Sequence, residues 1–445
     1  MTGSDFVSPD ELRARFCAAL SAMYRSEVPL YGDLVELVDD LIPDRLKVER
    51  HGAIRLGKPD ELAMIARLFG LFGMQPVGYY DLSPSGVPVH STAFRPVNAE
   101  SLAINPFRVF TSLLLPELLE PELRAEVESV LAERDIFHPR VREIVAKAEA
   151  EGGVRPQDAE ELVQKALETF KWHDTALVTR ETYDKMHAAH PLVADIAAFR
   201  GPHINHLTPR VLDIDAAQTG MSARGITPKT IIEGPPKREC EILLRQTSFQ
   251  ALTEPITFPP SSGAGTPASA EMRRSISGSH RARFGEIEQR GCALTRKGHA
   301  MYVKLMSTVP AAMDNEAHQQ NLAKAFASFP DTYRGMFDDG LAYFEYDLVS
   351  APPKPLPLPE LVASGHVALE PVTYEDFLPA SAAGIFQSNL DERDRSRSPS
   401  PNRGSASKTA FEKILPVKLH DSFELYERIQ EKSLRELENA LGFAV

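Results

Sequence analysis

Three short stretches of this chain set titratable side chains among residues that would otherwise build the interior of a sheet. They are Glu49-Arg50-His51-Gly52-Ala53-Ile54-Arg55, Gly201-Pro202-His203-Ile204-Asn205-His206-Leu207-Thr208-Pro209-Arg210 and Arg283-Phe284-Gly285-Glu286-Ile287-Glu288-Gln289-Arg290. Apolar and β-prone neighbours turn these histidines and glutamates inward, where an unpaired charge or imidazole is costly. A fold that keeps them inside has to pair them with one another or with a cation. Two imidazoles and a carboxylate arriving from separate strands make the donor set of a divalent metal site.

The surrounding pattern predicts an α+β fold, a β core interrupted by helices. Ser8-Pro9-Asp10-Glu11 is a capping box with proline at the first helical position, opening an amphipathic helix to about residue 25. A second helix is expected over 34–41 and a third over 59–72. Strands are expected over 51–56, 75–80, 89–95, 107–114, 229–233, 241–249, 283–289 and 342–349. Residues 116–195 read as almost wholly helical, with amphipathic segments at 121–135, 139–151 and 157–170, and another helix is expected near 318–329. The division that follows is N-terminal helices over 1–50, packed on the core, and a metal-binding β core over 51–390. That core carries a helical insertion at about 116–200 and a disordered loop at about 259–279. An Arg/Ser-rich disordered loop over 391–407 and a C-terminal helical segment over 408–445 complete it. Composition favours a solvated surface loop for the Arg/Ser tract, and no internal repeat is visible.

With 445 residues, 43% of them hydrophobic, the chain can bury a large core. A net charge of −13 argues against nucleic-acid and anionic-membrane partners, both of which reward surplus Lys and Arg, so an anionic substrate needs locally placed arginines. Cys17, Cys240 and Cys292 are far apart with no CxxC pair, as expected of small buried hydrophobes in a reducing compartment. The N-terminal residues resemble neither a secretory signal nor a transit peptide, and no apolar run approaches the ~20 residues of a membrane span. The expected location is cytoplasmic. There is no P-loop, Rossmann fingerprint or GxSxG elbow to support nucleotide or hydrolase readings.

Strand alternation orders the candidates. In an extended 283–289 segment Glu286 and Glu288 share a face; two acids on a buried strand need a cation, whereas on an edge strand both would face water. The small Gly285 allows close approach beside Glu286. His203 and His206 lie on one side only if the chain turns between them, so this pair supplies one ligand or two. His51 and Arg55 share a strand face with Cα atoms roughly 13 Å apart, far enough for Arg55 to grip a carboxylate several carbons from a metal at His51. His90 and Arg95 in Val89-His90-Ser91-Thr92-Ala93-Phe94-Arg95, Arg245 and Gln246 in Leu243-Leu244-Arg245-Gln246-Thr247, His203 and Glu288 are candidates for supporting such ligands.

Together with Gly78-Tyr79-Tyr80-Asp81-Leu82 and Tyr374-Glu375-Asp376-Phe377-Leu378-Pro379, these segments closely resemble the 2-oxoadipate dioxygenase/decarboxylase family, which is related to hydroxymandelate synthase and the vicinal oxygen chelate fold. The resemblance runs from about residue 6 to residue 430. It implies a curved β-sheet core enclosing a metal site, with large helical insertions. It also implies Fe(II) held by His51, His206 and Glu286, choosing His206 over His203 and Glu286 over Glu288, with Arg55 as the substrate-gripping arginine. The implied reaction turns 2-oxoadipate, a 2-oxo dicarboxylic acid, and O2 into 2-hydroxyglutarate and CO2, a step of lysine catabolism, by decarboxylating and hydroxylating the same molecule. Departures from the family pattern are a shorter stretch between residues 38 and 46, a longer Ser/Gly-rich segment before Ser279, and Ala380 where relatives carry valine beside the substrate. Ser381 is a candidate contact for a substrate carboxylate. The competing readings are a Zn-dependent hydrolase or lyase on the same ligands and a non-catalytic metabolite-binding protein acting through the Arg/Ser tract.

Overall fold

A computed structural model describes residues 5–249, 252–260, 276–281, 283–310, 312, 314–378 and 408–445. The strands in chain order are β1 (Arg50–Leu56), β2 (Gln75–Asp81), β3 (Val89–Arg95), β4 (Arg108–Leu114), β5 (Leu207–Val211), β6 (Leu244–Ser248), β7 (Glu254–Phe258), β8 (Ile276–His280), β9 (Glu286–Arg290), β10 (Phe344–Leu348) and β11 (Val367–Pro371). Seven of them form one curled, mixed sheet in the order β2-β3-β4-β1-β5-β9-β6, while β7 pairs with β8 and β10 with β11. Within the large sheet β1 runs parallel to β4 and β5 parallel to β9; the other neighbours are antiparallel. The architecture is α+β.

Strands β1, β3 and β4 are buried along their whole length, because helices and loops cover both faces. On the outer face Ile54, Leu56, Phe94, Val109, Leu113, Leu207 and Ile287 join one core with the helices Pro9–Glu27, Pro59–Leu71 and Pro156–Phe170. Ser8 caps the first of these, its hydroxyl accepting from Glu11 N at 3.2 Å with proline next in the chain. Leu12, Phe16, Leu20 and Tyr24, spaced by four, form its buried stripe. On the inner face Ala53, Val89, Ala93, Phe110 and Leu114 meet Phe377 and the helix Pro191–Ala197. Alternation therefore turns His51, Ala53 and Arg55 toward the concave side.

The helices Pro121–Glu133, Pro139–Glu151 and Pro156–Phe170 stand where the amphipathic pattern put them. Two expectations are corrected. Residues 229–233 form no strand and meet the sheet edge through the bridges Pro228↔Phe249 and Glu233↔Gln246 and through scattered hydrogen bonds, Lys229 N to Ser248 O at 2.6 Å and the Thr247 hydroxyl to Ile231 O at 3.3 Å. Residues 276–279, read as the end of a disordered loop, belong to β8, because small Ser and Gly side chains let the segment lie flat against β7. Residues 261–275, the rest of that loop's centre, and the Arg/Ser tract 391–407 lie outside the described residues. Cys17, Cys240 and Cys292 are buried and unpaired. No helix among the described residues is long and apolar enough to cross a membrane.

Candidate metal centre

Sheet register gathers the polar stretches. His51 on β1 stands opposite Thr208 on β5 and Arg108 on β4, Arg210 on β5 is opposite Glu288 on β9, and Ser248 and Gln246 on β6 are opposite Glu286 and Glu288. His206 enters from the turn just before β5, and β1 and the 204–206 segment touch backbone to side chain at Gly52. A Cβ there would lie 2.5 Å from Ile204 Cδ1 and 2.9 Å from His206 O. Tyr24, reaching in from the first helix, has its hydroxyl 2.8 Å from Asn205 O and 2.7 Å from Phe284 O, tying together the chain segments just before His206 and Glu286.

His51, His206 and Glu286 are all buried, each with a ligand atom within 4.8 Å of the others. Glu286 Oε2 lies 3.1 Å from His51 Nε2, 3.0 Å from His206 Nδ1 and 2.8 Å from the Thr208 hydroxyl that donates to it; Gln246 Nε2 donates to Oε1 at 3.2 Å. Burial works against the Glu286 charge, but His206 and His51 outweigh it and hold the carboxyl at about 2. Burial pushes the His206 imidazole below its ordinary range, with Glu286 working against the shift. Its Nε2 is buried without a hydrogen-bond partner. Phe284 stacks on His206 at 5.1 Å and Phe377 meets His51 edge-on at 4.9 Å, so the donors sit between aromatic walls.

Glu288 is the second carboxylate on the cluster. Its Oε2 stands 3.1 Å from His51 Nδ1, and its other oxygen takes Arg108 and, at 2.8 Å, Arg290 Nε. Burial opposes ionisation of Glu288, yet Arg108, His51 and Arg290 keep its carboxyl well below the usual range. His51 Nδ1 also lies 3.4 Å from Arg108 Nη2, and its Nε2 faces the Glu286 carboxylate at 3.1 Å, a contact that needs a proton or a metal ion between the two. The shared oxygen, the partnerless imidazole nitrogen and the two-histidine, one-carboxylate composition all fit a divalent metal.

Arg55, farther along β1, ends on a different constellation. Its Nη1 donates to Asp195 Oδ2 at 2.6 Å, while Asp195 Oδ1 lies 2.9 Å from His280 Nε2 and 3.1 Å from His203 Nε2. His203 thus faces Asp195 rather than the Glu286 cluster.

Three candidates named from sequence lie away from both groups, and two more fall outside the described residues. His90 is on the outer face of β3, packed against Phe411 at 4.6 Å and Tyr79 at 5.8 Å, because it alternates with Ser91 and Ala93 of the inner face. Arg245 points to the same outer side and pairs with Asp215 at 2.9 Å, whereas its neighbour Gln246 reaches Glu286. Arg95 is on the inner face, held by Asp376 at 2.9 Å at the far end of β3. Ala380 and Ser381 lie outside the described residues. The residues not singled out beforehand are Thr208, Arg108, Arg290, Asp195 and His280. Arg108, Arg290 and Asp195 carried a signal, a charge in an apolar run, Asp195 within Leu192-Val193-Ala194-Asp195-Ile196-Ala197; His280 carried none, since the β7–β8 pairing brings it in.

A family model described as 2-oxoadipate dioxygenase/decarboxylase matches residues 16–389. A Pseudomonas putida protein named 2-oxoadipate dioxygenase/decarboxylase is 49% identical over 99% of this chain and 99% of its own. The crystal structure of the hydroxyglutarate synthase from the same organism in complex with 2-oxoadipate superimposes with a TM-score of 0.85 at 47% identity, covering 99% of this chain and 100% of that one. A putative glyoxalase superfamily protein from Ralstonia eutropha shares the fold, with a TM-score of 0.51 at 20% identity over 64% of this chain and 85% of its own.

Proposed function

The chain belongs to the 2-oxoadipate dioxygenase/decarboxylase family, and from that premise we propose that it is an Fe(II)-dependent enzyme converting 2-oxoadipate and O2 to 2-hydroxyglutarate and CO2. The observation that carries the reading is the meeting of His51, His206 and Glu286, buried and mutually within 4.8 Å, in a chain of this family. The reaction balances without a second organic substrate: the C1 carboxyl departs as CO2 with its own oxygens, one atom of O2 completes the new carboxyl at the former keto carbon, and the other becomes the hydroxyl of the product.

Fe(II), when bound by these three residues, supplies the electrons with which O2 is activated beside a 2-oxo acid. The protein's own part is arrangement. Glu286 brings a fixed negative charge, held in orientation by the Thr208 hydroxyl and the Gln246 amide. The Glu288 charge, 3.1 Å from His51 Nδ1, favours the tautomer that leaves the Nε2 lone pair to the centre. His206 offers the second imidazole nitrogen, its hold on a proton weakened by burial, and Phe284 and Phe377 keep bulk water from the donors. Arg55 grips the distal carboxylate, and a misplacement of about 1 Å there would cost on the order of 100-fold in rate. Such an enzyme would act in the cytoplasm, in lysine degradation.

The test is to load metal-free protein with Fe(II) without air, add 2-oxoadipate, admit O2, and follow oxygen uptake and products by mass spectrometry. Equimolar O2 consumption and 2-hydroxyglutarate formation is the expected result, absent with Zn(II). No oxygen uptake with Fe(II), or a hydrolytic product with Zn(II), overturns the reading.

A further inference from the structure

Asp195 is a buried carboxylate to which three basic side chains from three separate elements converge. Arg55 of β1 holds Oδ2 at 2.6 Å, and His280 of β8 and His203 of the 201–206 segment share Oδ1 at 2.9 and 3.1 Å. Tyr183 OH backs His280 Nδ1 at 2.7 Å, and Trp172 stacks on the His280 ring at 5.8 Å with the His203 ring edge-on at 4.7 Å. The same three acid and imidazole groups have the spacing of a metal site. Arg55 already supplies the cation there, and a divalent ion on Asp195 would have to share its oxygens with a guanidinium.

We propose that Asp195 is a positioning residue, an internal counter-carboxylate that aims Arg55 in the empty site and competes with the distal carboxylate of the substrate. The inference rests on the assignment of Arg55 above. A buried arginine without a partner is costly, so Asp195 keeps the guanidinium in place before substrate arrives. When a dicarboxylic 2-oxo acid enters, the guanidinium's planar set of donors is shared between two carboxylates. When a monocarboxylic acid of equal length enters, Asp195 still satisfies Arg55, which lowers the penalty for the missing carboxylate. Asp195 therefore sets how sharply the site tells the two classes apart, and His203 and His280 tune it by drawing charge from Oδ1.

Calorimetric binding of 2-oxoadipate and 2-oxohexanoate to the metal-loaded protein, with steady-state KM and kcat alongside, tests this. Asp195→Asn keeps an oxygen for Arg55 but removes the competing charge. Its affinity ratio of dicarboxylate to monocarboxylate should rise on the order of tenfold, with KM for 2-oxoadipate falling. His280→Phe keeps the stack on Trp172 but leaves more charge on Asp195 for Arg55, and its ratio should fall. A merely structural role would shift both acids alike in both variants. Ratios within twofold of wild type in both variants, a shift of the same sign in both, or one metal equivalent lost with His280→Phe each overturn the proposal. Expected binding ratios in a protein that consumes no O2 would sink the oxygenase reading while leaving this inference standing.

Discussion

His51 Nδ1 stands 3.1 Å from Glu288 Oε2, so a buried carboxylate lies behind the ring nitrogen that faces away from Glu286. Replacing Glu288 by Gln keeps the shape of the side chain but removes the charge that favours one imidazole tautomer. Metal affinity should drop by about 10–100-fold, read by competition against a chelator. Because Arg108 leans on the same carboxylate, the variant also leaves that buried guanidinium short of a counter-charge, whereas Arg290 keeps Glu375 and Glu49. Unchanged affinity would remove Glu288 from the metal centre's support.

Arg55→Ala separates gripping from chemistry. If the guanidinium engages the distal carboxylate, kcat/KM for 2-oxoadipate should fall by about 100-fold or more, while oxygen uptake with 2-oxohexanoate changes little. Equal losses with the two acids would assign Arg55 to holding the fold around Asp195.

Gly52 is where β1 and the 204–206 segment come closest. An added methyl would lie 2.9 Å from the carbonyl of His206, a backbone atom that moves only with the strand behind it. Gly52→Ala should therefore push His206 away from His51, lowering both the metal affinity and the melting temperature. A stability loss of about 1–3 kcal/mol is expected, typical of overpacking. Retained metal binding with the stability loss alone would show that the centre tolerates the shift.

Alternation along a strand made much of this site legible in advance. His51 with Arg55, and Glu286 with Glu288, share faces in the sheet as their spacing required. Spacing could not say which residues from different strands meet, because that depends on the order β1-β5-β9-β6, and strand order is written in long-range packing rather than in local pattern. Hence Thr208 and Arg108 went without roles, although they sit opposite His51. Asp195 had the signature, a charge in the apolar helix Pro191–Ala197, but only long-range packing brings it to Arg55; His280, at the end of a Ser/Gly-rich segment, had none. The strand expected at 229–233 failed for a related reason: its β-prone residues edge the sheet through isolated bridges and scattered hydrogen bonds rather than a continuous ladder.

His90 offers a pH signature independent of the metal. Burial lowers its imidazole from 6.5 to about 4, only partly offset by Asp81, and its Nε2 is buried without a hydrogen-bond partner beside Phe411. In the unfolded chain the ring binds a proton below about pH 6.5, but the folded protein refuses it until about pH 4. Unfolding thus takes up a proton in that window, so stability is complete above it and declines as the pH falls through it. Between pH 7.5 and pH 5.0 this one group should cost the wild type about 2 kcal/mol. His90→Leu keeps an apolar contact with Phe411 and removes the proton uptake, so urea denaturation of the metal-free protein at the two pH values should show that much less loss in the variant. Parallel losses in the two proteins would mean that His90 already titrates normally in the fold.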